Sequence, residues 1–344
     1  MNAVSVELRL ASTSQFDAFE PWHASLSSQF FDASLIGENA RRRFHGSVTG
    51  FHLGEGLIFR SASVAHHLRR DSALVRRSGI DHILIEHQTV GRRSGEFGGH
   101  NVDIRPGDVS IIDLGRPVVA RDRDFARTSL IVPRDQLPRH IRDRDLHGLV
   151  FNEARRETQM LAALLERMMQ RSAQADSSDM DSSMQAVFTL VDAAAGSAQT
   201  RLAEALRGAG PVLFQIAQGY IDARLTSRTL TAETVANAMN LSRATLYRLF
   251  ENHGGVRTYI TARRLDRCFE IFRRTRGPVS IGEIAFAHGF NSEAHFSRAF
   301  RFRFGMTPRD AVQLAGSDAP PEENLLGPLT IMPDWIRQIG RRAA

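Results

Sequence analysis

Cysteine occurs once, at Cys268, in a chain of 344 residues. That excludes a disulfide framework and any multi-cysteine zinc or iron–sulfur site. Long apolar runs are missing as well: Val109–Ile112 and Leu130–Pro133 fall far short of the ~20 residues a membrane span requires. Residues 1–13 carry Glu7 and Arg9 and no continuous apolar stretch, so no secretory leader is expected. Lysine is absent, every basic residue being Arg, a bias that codon usage explains better than function. The expectation is a soluble, cytoplasmic chain with no membrane partner.

What is present is an ordinary globular composition, 42% hydrophobic and 24% charged. The length suits two domains, each with its own core. Net charge is +6, unevenly placed. Residues 1–210 hold 26 Arg against 26 acidic residues, 211–315 hold 15 against 8, and 316–344 hold 3 against 4. The positive excess therefore sits in one domain-sized stretch, a bias that attracts a polyanion. Basic domains that bind nothing are common, so charge alone does not decide the matter.

Residues 1–20 are weakly patterned and expected to be peripheral. From about 40 to 133, short apolar runs alternate with turn residues, as in Gly46–Gly50, Leu57–Phe59, Asp81–Glu86, Val102–Ile104, Gly107–Asp113 and Thr128–Val132. This spacing indicates a β-sandwich or small barrel. Arg105-Pro-Gly-Asp108 is a strong turn signal. After Pro138 the period changes: Phe151, Leu161, Leu164, Leu165, Met168 and Met169 fall at helical spacing. Ala173–Ser183 reads as a loop before a second helix at Met184–Ala195. Such a helix pair packs on the β-domain or joins two copies into a homodimer. Ala193–Gly210, with a short helical run at Arg201–Arg207, reads as the interdomain connection.

Beyond residue 211 the pattern is helical and repeats once. Thr234–Leu241 aligns with Glu283–Phe290, and Ser242–Phe250 with Ser292–Phe300. Each copy has the parts of a helix-turn-helix. Ala236 or Ala285 permits a close helix crossing, Asn240 or Gly289 suits a left-handed turn, and Ser242 or Ser292 caps the second helix. Leu246 and Phe250, like Phe296 and Phe300, form a buried stripe. The outward residues are Arg243, Thr245, Tyr247 and Arg248 in one copy and Glu293, His295, Ser297 and Arg298 in the other. Arg pairs bidentately with guanine or clamps a phosphate, and Glu accepts from a cytosine amino group, so these eight are the candidate DNA-binding residues.

Between the copies, Arg257–Arg274 forms one amphipathic helix with Tyr259, Ile260, Leu265, Phe269 and Phe272 inward. Its length of about 27 Å approaches the roughly 34 Å between successive major-groove faces. Arg276-Gly-Pro278 ends it, and Cys268 on this helix reads as a packing residue.

Residues 213–313 resemble the DNA-binding domain of the AraC/XylS family of bacterial transcription regulators. The matching elements are Tyr259-Ile260, Arg263-Arg264-Leu265, Ile284-Ala285, Gly289-Phe290, Phe296–Phe300, Phe304-Gly305 and Thr307-Pro308. Asn240, at a turn often filled by Gly, and Ala311, where an aromatic is common, depart from the pattern. The run Arg105–Pro117 is similar to the Gly-Asp … Asp … Arg-Pro pattern of the cupin-like sensor domain in the XylS-type branch. The resemblance implies an N-terminal domain that binds a small effector or mediates dimerisation, and a C-terminal domain that contacts promoter DNA and RNA polymerase. Relatives of this kind often respond to aromatic acids, amines or nitriles.

The expected fold is α+β: an N-terminal cupin-like β-barrel or sandwich with helices, then an all-α domain of two helix-turn-helix units joined by a linker helix. The expected domains are 20–195 for effector binding or dimerisation, 196–212 as linker, 213–315 for DNA binding, and 316–344 as a flexible extension with a short helix near Asp334–Arg342. A transcription regulator, acting as an activator, is the expected function, with no enzymatic activity. The competing reading is a metal-dependent cupin enzyme fused to a DNA-binding domain. It requires His-x-His and a nearby Glu, yet His45, His52, His66, His67, His82, His87 and His100 include no such pair. No catalytic residue, metal ligand or cofactor is therefore expected, and the pattern singles out no effector-binding residue.

Overall fold

The computed structural model describes residues 5–13, 16–24, 30–37, 39–54, 56–172, 177–196, 210–239, 241–274, 280–314 and 335. The chain divides into two units, Met1–Gly208 with Asn324–Ala344, and Ala209–Glu323.

The first unit is built on two antiparallel sheets. The larger runs β1 (Ser5–Ala11), β3 (His45–His52), β4 (Leu57–Ser63), β11 (Phe125–Val132), β6 (Ile83–Val90), β9 (Val109–Asp113) and β12 (Val150–Phe151) side by side. The smaller runs β2 (Asp32–Leu35), β5 (His66–Arg70), β10 (Val118–Asp122), β7 (Arg93–Phe97) and β8 (His100–Ile104). Short helices α1 (Phe19–Trp22), α2 (Ser72–Ser78) and α3 (Arg139–Arg142) fill the connections. The sheets do not close into a barrel, so the sandwich form of the expected fold is the one observed.

Turn chemistry carries the chain from the smaller sheet to the larger where Arg105-Pro-Gly-Asp108 joins β8 to β9. Gly107 takes φ +92°, and the Asp108 amide donates to the Arg105 carbonyl at 3.1 Å, the geometry Pro-Gly favours. A side chain at 107 would also collide with Glu153.

Strand β6 is buried on both faces. Leu84 and Glu86 point toward the smaller sheet, while His87 on the other side meets Glu166 of helix α4 (Arg156–Arg171) at 3.0 Å. Helix α4 lies on β4, β9 and β11 and pairs with α5 (Ser177–Ala195). Its Met160, Leu161, Leu164, Leu165 and Met168 are all buried. The amphipathic stripe is thus satisfied within the chain, one of its two expected fates.

Three local expectations are corrected. Residues 1–20 are not peripheral: β1 pairs with β3 over its whole length, and Val6, Leu8, Phe19 and Trp22 are buried. Apolar and polar residues alternate strictly from Val4 to Leu10, and that alternation is the strand signal. Phe151 ends strand β12 instead of starting a helix. The loop expected over Ala173–Ser183 is helical from Ser177 onward; Asp179 sits in its first turn, where the helix dipole favours an acid, so polar residues that look loop-like mark a helix start.

The second unit contains α6 (Gly210–Asp222), α7 (Ala232–Met239), α8 (Arg243–Leu249), α9 (Val256–Arg274), α10 (Ile281–Ala287), α11 (Glu293–Phe304) and α12 (Pro308–Leu314). Helix α6 starts within the stretch read as linker. The run Arg201–Arg207, the turn residue Asn240 and the stop at Arg276–Pro278 lie outside the described residues, as does the C-terminal extension apart from Trp335. Trp335 is buried in the core of the first unit, edge-on to His52 at 5.8 Å.

Candidate nucleic-acid interface and sensor cavity

Both copies of the repeat fold as helix-turn-helix units, α7–α8 and α10–α11. The Ser242 hydroxyl accepts from the Thr245 amide at 3.1 Å, and the Ser292 hydroxyl accepts from the His295 amide at 3.4 Å. Each cap starts its second helix at the residue the sequence indicates. The first helices are capped too, α7 by Thr231 and α10 by Ser280. Gly289 adopts φ +77° at the second turn, where an L-residue is strained.

Leu246, Phe250, Phe296 and Phe300 are each completely buried. Phe250 packs against Phe214 and Tyr259 with ring centroids 5.0 Å apart. Phe296 and Phe300 join Phe272, Cys268 and Ala285 in a second core. Helix α9 supplies a wall to both cores. It spans 19 residues, about 28 Å, with Tyr259, Ile260, Leu265 and Phe272 inward and Phe269 half-buried.

The eight outward residues are placed as follows. Arg243, Tyr247 and Arg248 are exposed on α8, and Glu293, His295 and Arg298 are exposed on α11. Arg243 carries a surface ion pair to Glu233 at 3.0 Å. Thr245 and Ser297 are only half-exposed, and the Thr245 hydroxyl lies 2.9 Å from that of Ser242, which ties it to the cap. Helix α11 continues beyond Phe300. Arg301 and the 94%-exposed Phe302 extend the Arg298 face, and both lie just past the end of the repeated segment.

Polar links between elements also hold the unit together. Arg264 of α9 donates to the carbonyls of Leu225 at 3.1 Å, Ser227 at 2.8 Å and Gly289 at 3.3 Å. Asp266, on the same helix, pairs with Arg303 of α11 at 2.7 Å. Burial pushes the Cys268 thiol up to about 12, so it stays protonated and packs as an apolar group.

The first unit encloses a cavity between its sheets, about 600 Å³ of empty space with part of it open to solvent. Trp22, Phe30, Phe31, Phe59 and Phe125 supply apolar wall, and a buried charge cluster supplies the rest. Arg93 bonds Asp122 through Nε at 2.9 Å and Nη2 at 3.1 Å, and reaches Glu86 through Nη1. Arg127 meets Asp122 at 2.7 Å and lies over the Phe125 ring, its Cζ 3.8 Å from the centroid. Burial pushes the Asp122 carboxyl up to about 6 against the pull of Arg93, and pushes the His66 imidazole beside it down to about 4. The sequence offered no route to this charge cluster, because its members come from five strands. Among the described residues, no group of three His, Cys, Asp or Glu side chains is arranged to hold a metal.

Residues 22–199 match the model of the AraC-binding-like domain, and residues 235–313 that of a helix-turn-helix domain. The transcriptional activator NphR of Rhodococcus sp. is 22% identical over 314 residues, covering 88% of this chain and 91% of that protein. The HTH-type transcriptional regulator GlxA of Rhizobium meliloti is 38% identical over 92 residues, 26% of this chain and 28% of its own. The crystal structure of the AraC-like transcriptional activator CuxR is similar at 24% identity and a TM-score of 0.49, covering 77% of this chain and 96% of that one. With the first match spanning more than half of its length, the chain belongs to the AraC-type family of transcription regulators.

Proposed function

We propose that this regulator is a transcriptional activator that reads a two-part promoter site through α8 and α11 and answers to a small effector held by its N-terminal unit. One observation carries the reading: two capped helices, each with an exposed basic face, are braced on one continuous helix inside the unit that holds the chain's positive excess. Arg243, Tyr247 and Arg248 read one major-groove face, and Glu293, His295 and Arg298 the next. Thr245 and Ser297 complete the set at its edge, where short side chains reach phosphate or base.

The working domains are 20–195 for effector and 213–315 for DNA, joined by 196–212 and followed by 316–344. NphR is named as an activator, which supports activation here; contact with RNA polymerase is part of the proposal. The same kinship supports a non-enzymatic, cytoplasmic role. Homodimerisation belongs to the proposal as a property of the N-terminal unit.

The test is selection of duplexes from a random pool by the purified full-length chain. The expected result is a motif of two blocks about 10 base pairs apart, centre to centre. Salt-sensitive binding with no enriched motif would leave only the non-specific, polyanion reading.

A further inference from the structure

We infer that the cavity between the two sheets takes a compact, planar, mostly apolar molecule through one hydrogen-bond-accepting oxygen, with Arg127 as the residue that receives it. The inference rests on the N-terminal unit being an effector sensor and specifies the chemistry of that effector.

The wall decides the apolar part. Trp22, Phe30, Phe31 and Phe59 line the cavity, and aromatic side chains hold a flat ring by offset or edge-on contact.

The charge cluster decides the polar part. Both carboxylates are engaged: Asp122 by Arg93 and Arg127, and Glu86 by Arg93 and by the Ser129 hydroxyl, which donates at 3.2 Å. Arg93 spends all three nitrogens on them. Arg127 does not. It is 3% exposed, yet its Nε and Nη2 make no hydrogen bond; the Nη2 contact with Asp122 is one of charge without hydrogen-bond geometry. Arginine has only donors, and a buried donor left unmade is costly. The unmet valence in the cavity is therefore a donor, which an acceptor oxygen satisfies and an amine does not.

The titration of the cluster separates two sources of that oxygen. Asp122 faces His66, Glu86, Arg93 and Arg127. Protonating it near pH 6 removes one negative charge beside Arg127 and favours a carboxylate over a carbonyl.

The chain has two tryptophans, and Trp335→Phe leaves Trp22 in the cavity wall as the sole reporter. Full-length W335F is titrated with benzoate, acetophenone and benzylamine while Trp22 fluorescence is followed at pH 6 and pH 8. The expected result is a saturable change with benzoate, acetophenone or both, at millimolar concentration or below, and none with benzylamine. Tighter benzoate binding at pH 6 with acetophenone unchanged assigns a carboxylate; pH-independent binding of both assigns a neutral acceptor. Arg127→Met weakens the acceptor about tenfold or more. If circular dichroism shows R127M misfolded, Ser61→Phe, which narrows the cavity at the cross-strand neighbour of Arg127, must abolish the signal in a protein whose circular dichroism is unchanged. Equal binding of benzylamine, silence with both acceptors, or retention of the signal in S61F overturns the assignment. The sensor reading is judged separately, by whether a compound that binds changes transcription from the selected promoter.

Discussion

Arg264 occupies the space a side chain at Gly289 would need: a Cβ there would fall 2.6 Å from the guanidinium carbon. The same guanidinium bonds backbone carbonyls before the first helix-turn-helix and at the turn of the second. One arginine on the shared helix thus clamps both reading units, and a glycine at φ +77° is the condition for its doing so.

Gly289→Ala is expected to destabilise the DNA-binding unit by more than the about 1–2 kcal/mol of a left-handed L-residue, because Arg264 must also move. Thermal unfolding of G289A, R264A and the double variant checks this. The two losses should sum to more than the double variant shows, since removing the guanidinium vacates the space that the added methyl group needs. Strict additivity would mean that the two positions do not compete.

Arg298→Ala should cost about 1–3 kcal/mol of specific binding where Arg298 contacts a base, with preference relaxed at that base pair. If it holds a phosphate instead, all sequences weaken together and the salt slope falls by about 1. Fluorescence anisotropy on selected and scrambled duplexes over a salt series distinguishes these results. Undiminished affinity would move the reading face elsewhere on α11, toward Arg301 and Phe302.

Cys268 should resist thiol reagents at pH 8 in the folded protein and react at once in denaturant. A value pushed up to about 12 favours the protonated thiol in the fold. Its stabilising contribution is therefore complete at neutral pH and is lost only as pH climbs toward about 12. Stoichiometric labelling of native protein, with no loss of secondary structure, would contradict its burial.

Trp335→Ala should lower the stability of the N-terminal unit by about 3–5 kcal/mol, the usual cost of deleting a large buried aromatic. Calorimetry on the full chain should show the transition of that unit moving down while that of the DNA-binding unit stays in place. Movement of only the latter would mean that Trp335 belongs elsewhere.

The C-terminal unit was largely legible because its signals are local. A cap at Ser242 or Ser292, a glycine at 289 and apolar residues at 246, 250, 296 and 300 act over spans of four to ten residues, and the second copy corroborates the first. Thr245 shows where that logic stops. Its position is outward, but its hydroxyl is drawn to Ser242, a competition that spacing does not express.

In the N-terminal unit the alternation predicted strands and turns but misjudged the ends of the chain. Strand β1 counts as a strand because β3 offers it a partner about 40 residues later, and Trp335 is core because His52 and the inter-sheet space receive it.

Sequence alone determined the duplicated reader, its caps, its shared helix and the placement of positive charge, since each depends on neighbours along the chain and on periodicity. Tertiary structure alone decided the cavity: Glu86, Arg93, Asp122, Arg127 and His66 lie on five strands whose pairing is non-local, and only the stacking of two sheets buries those charges together and leaves one arginine short of an acceptor.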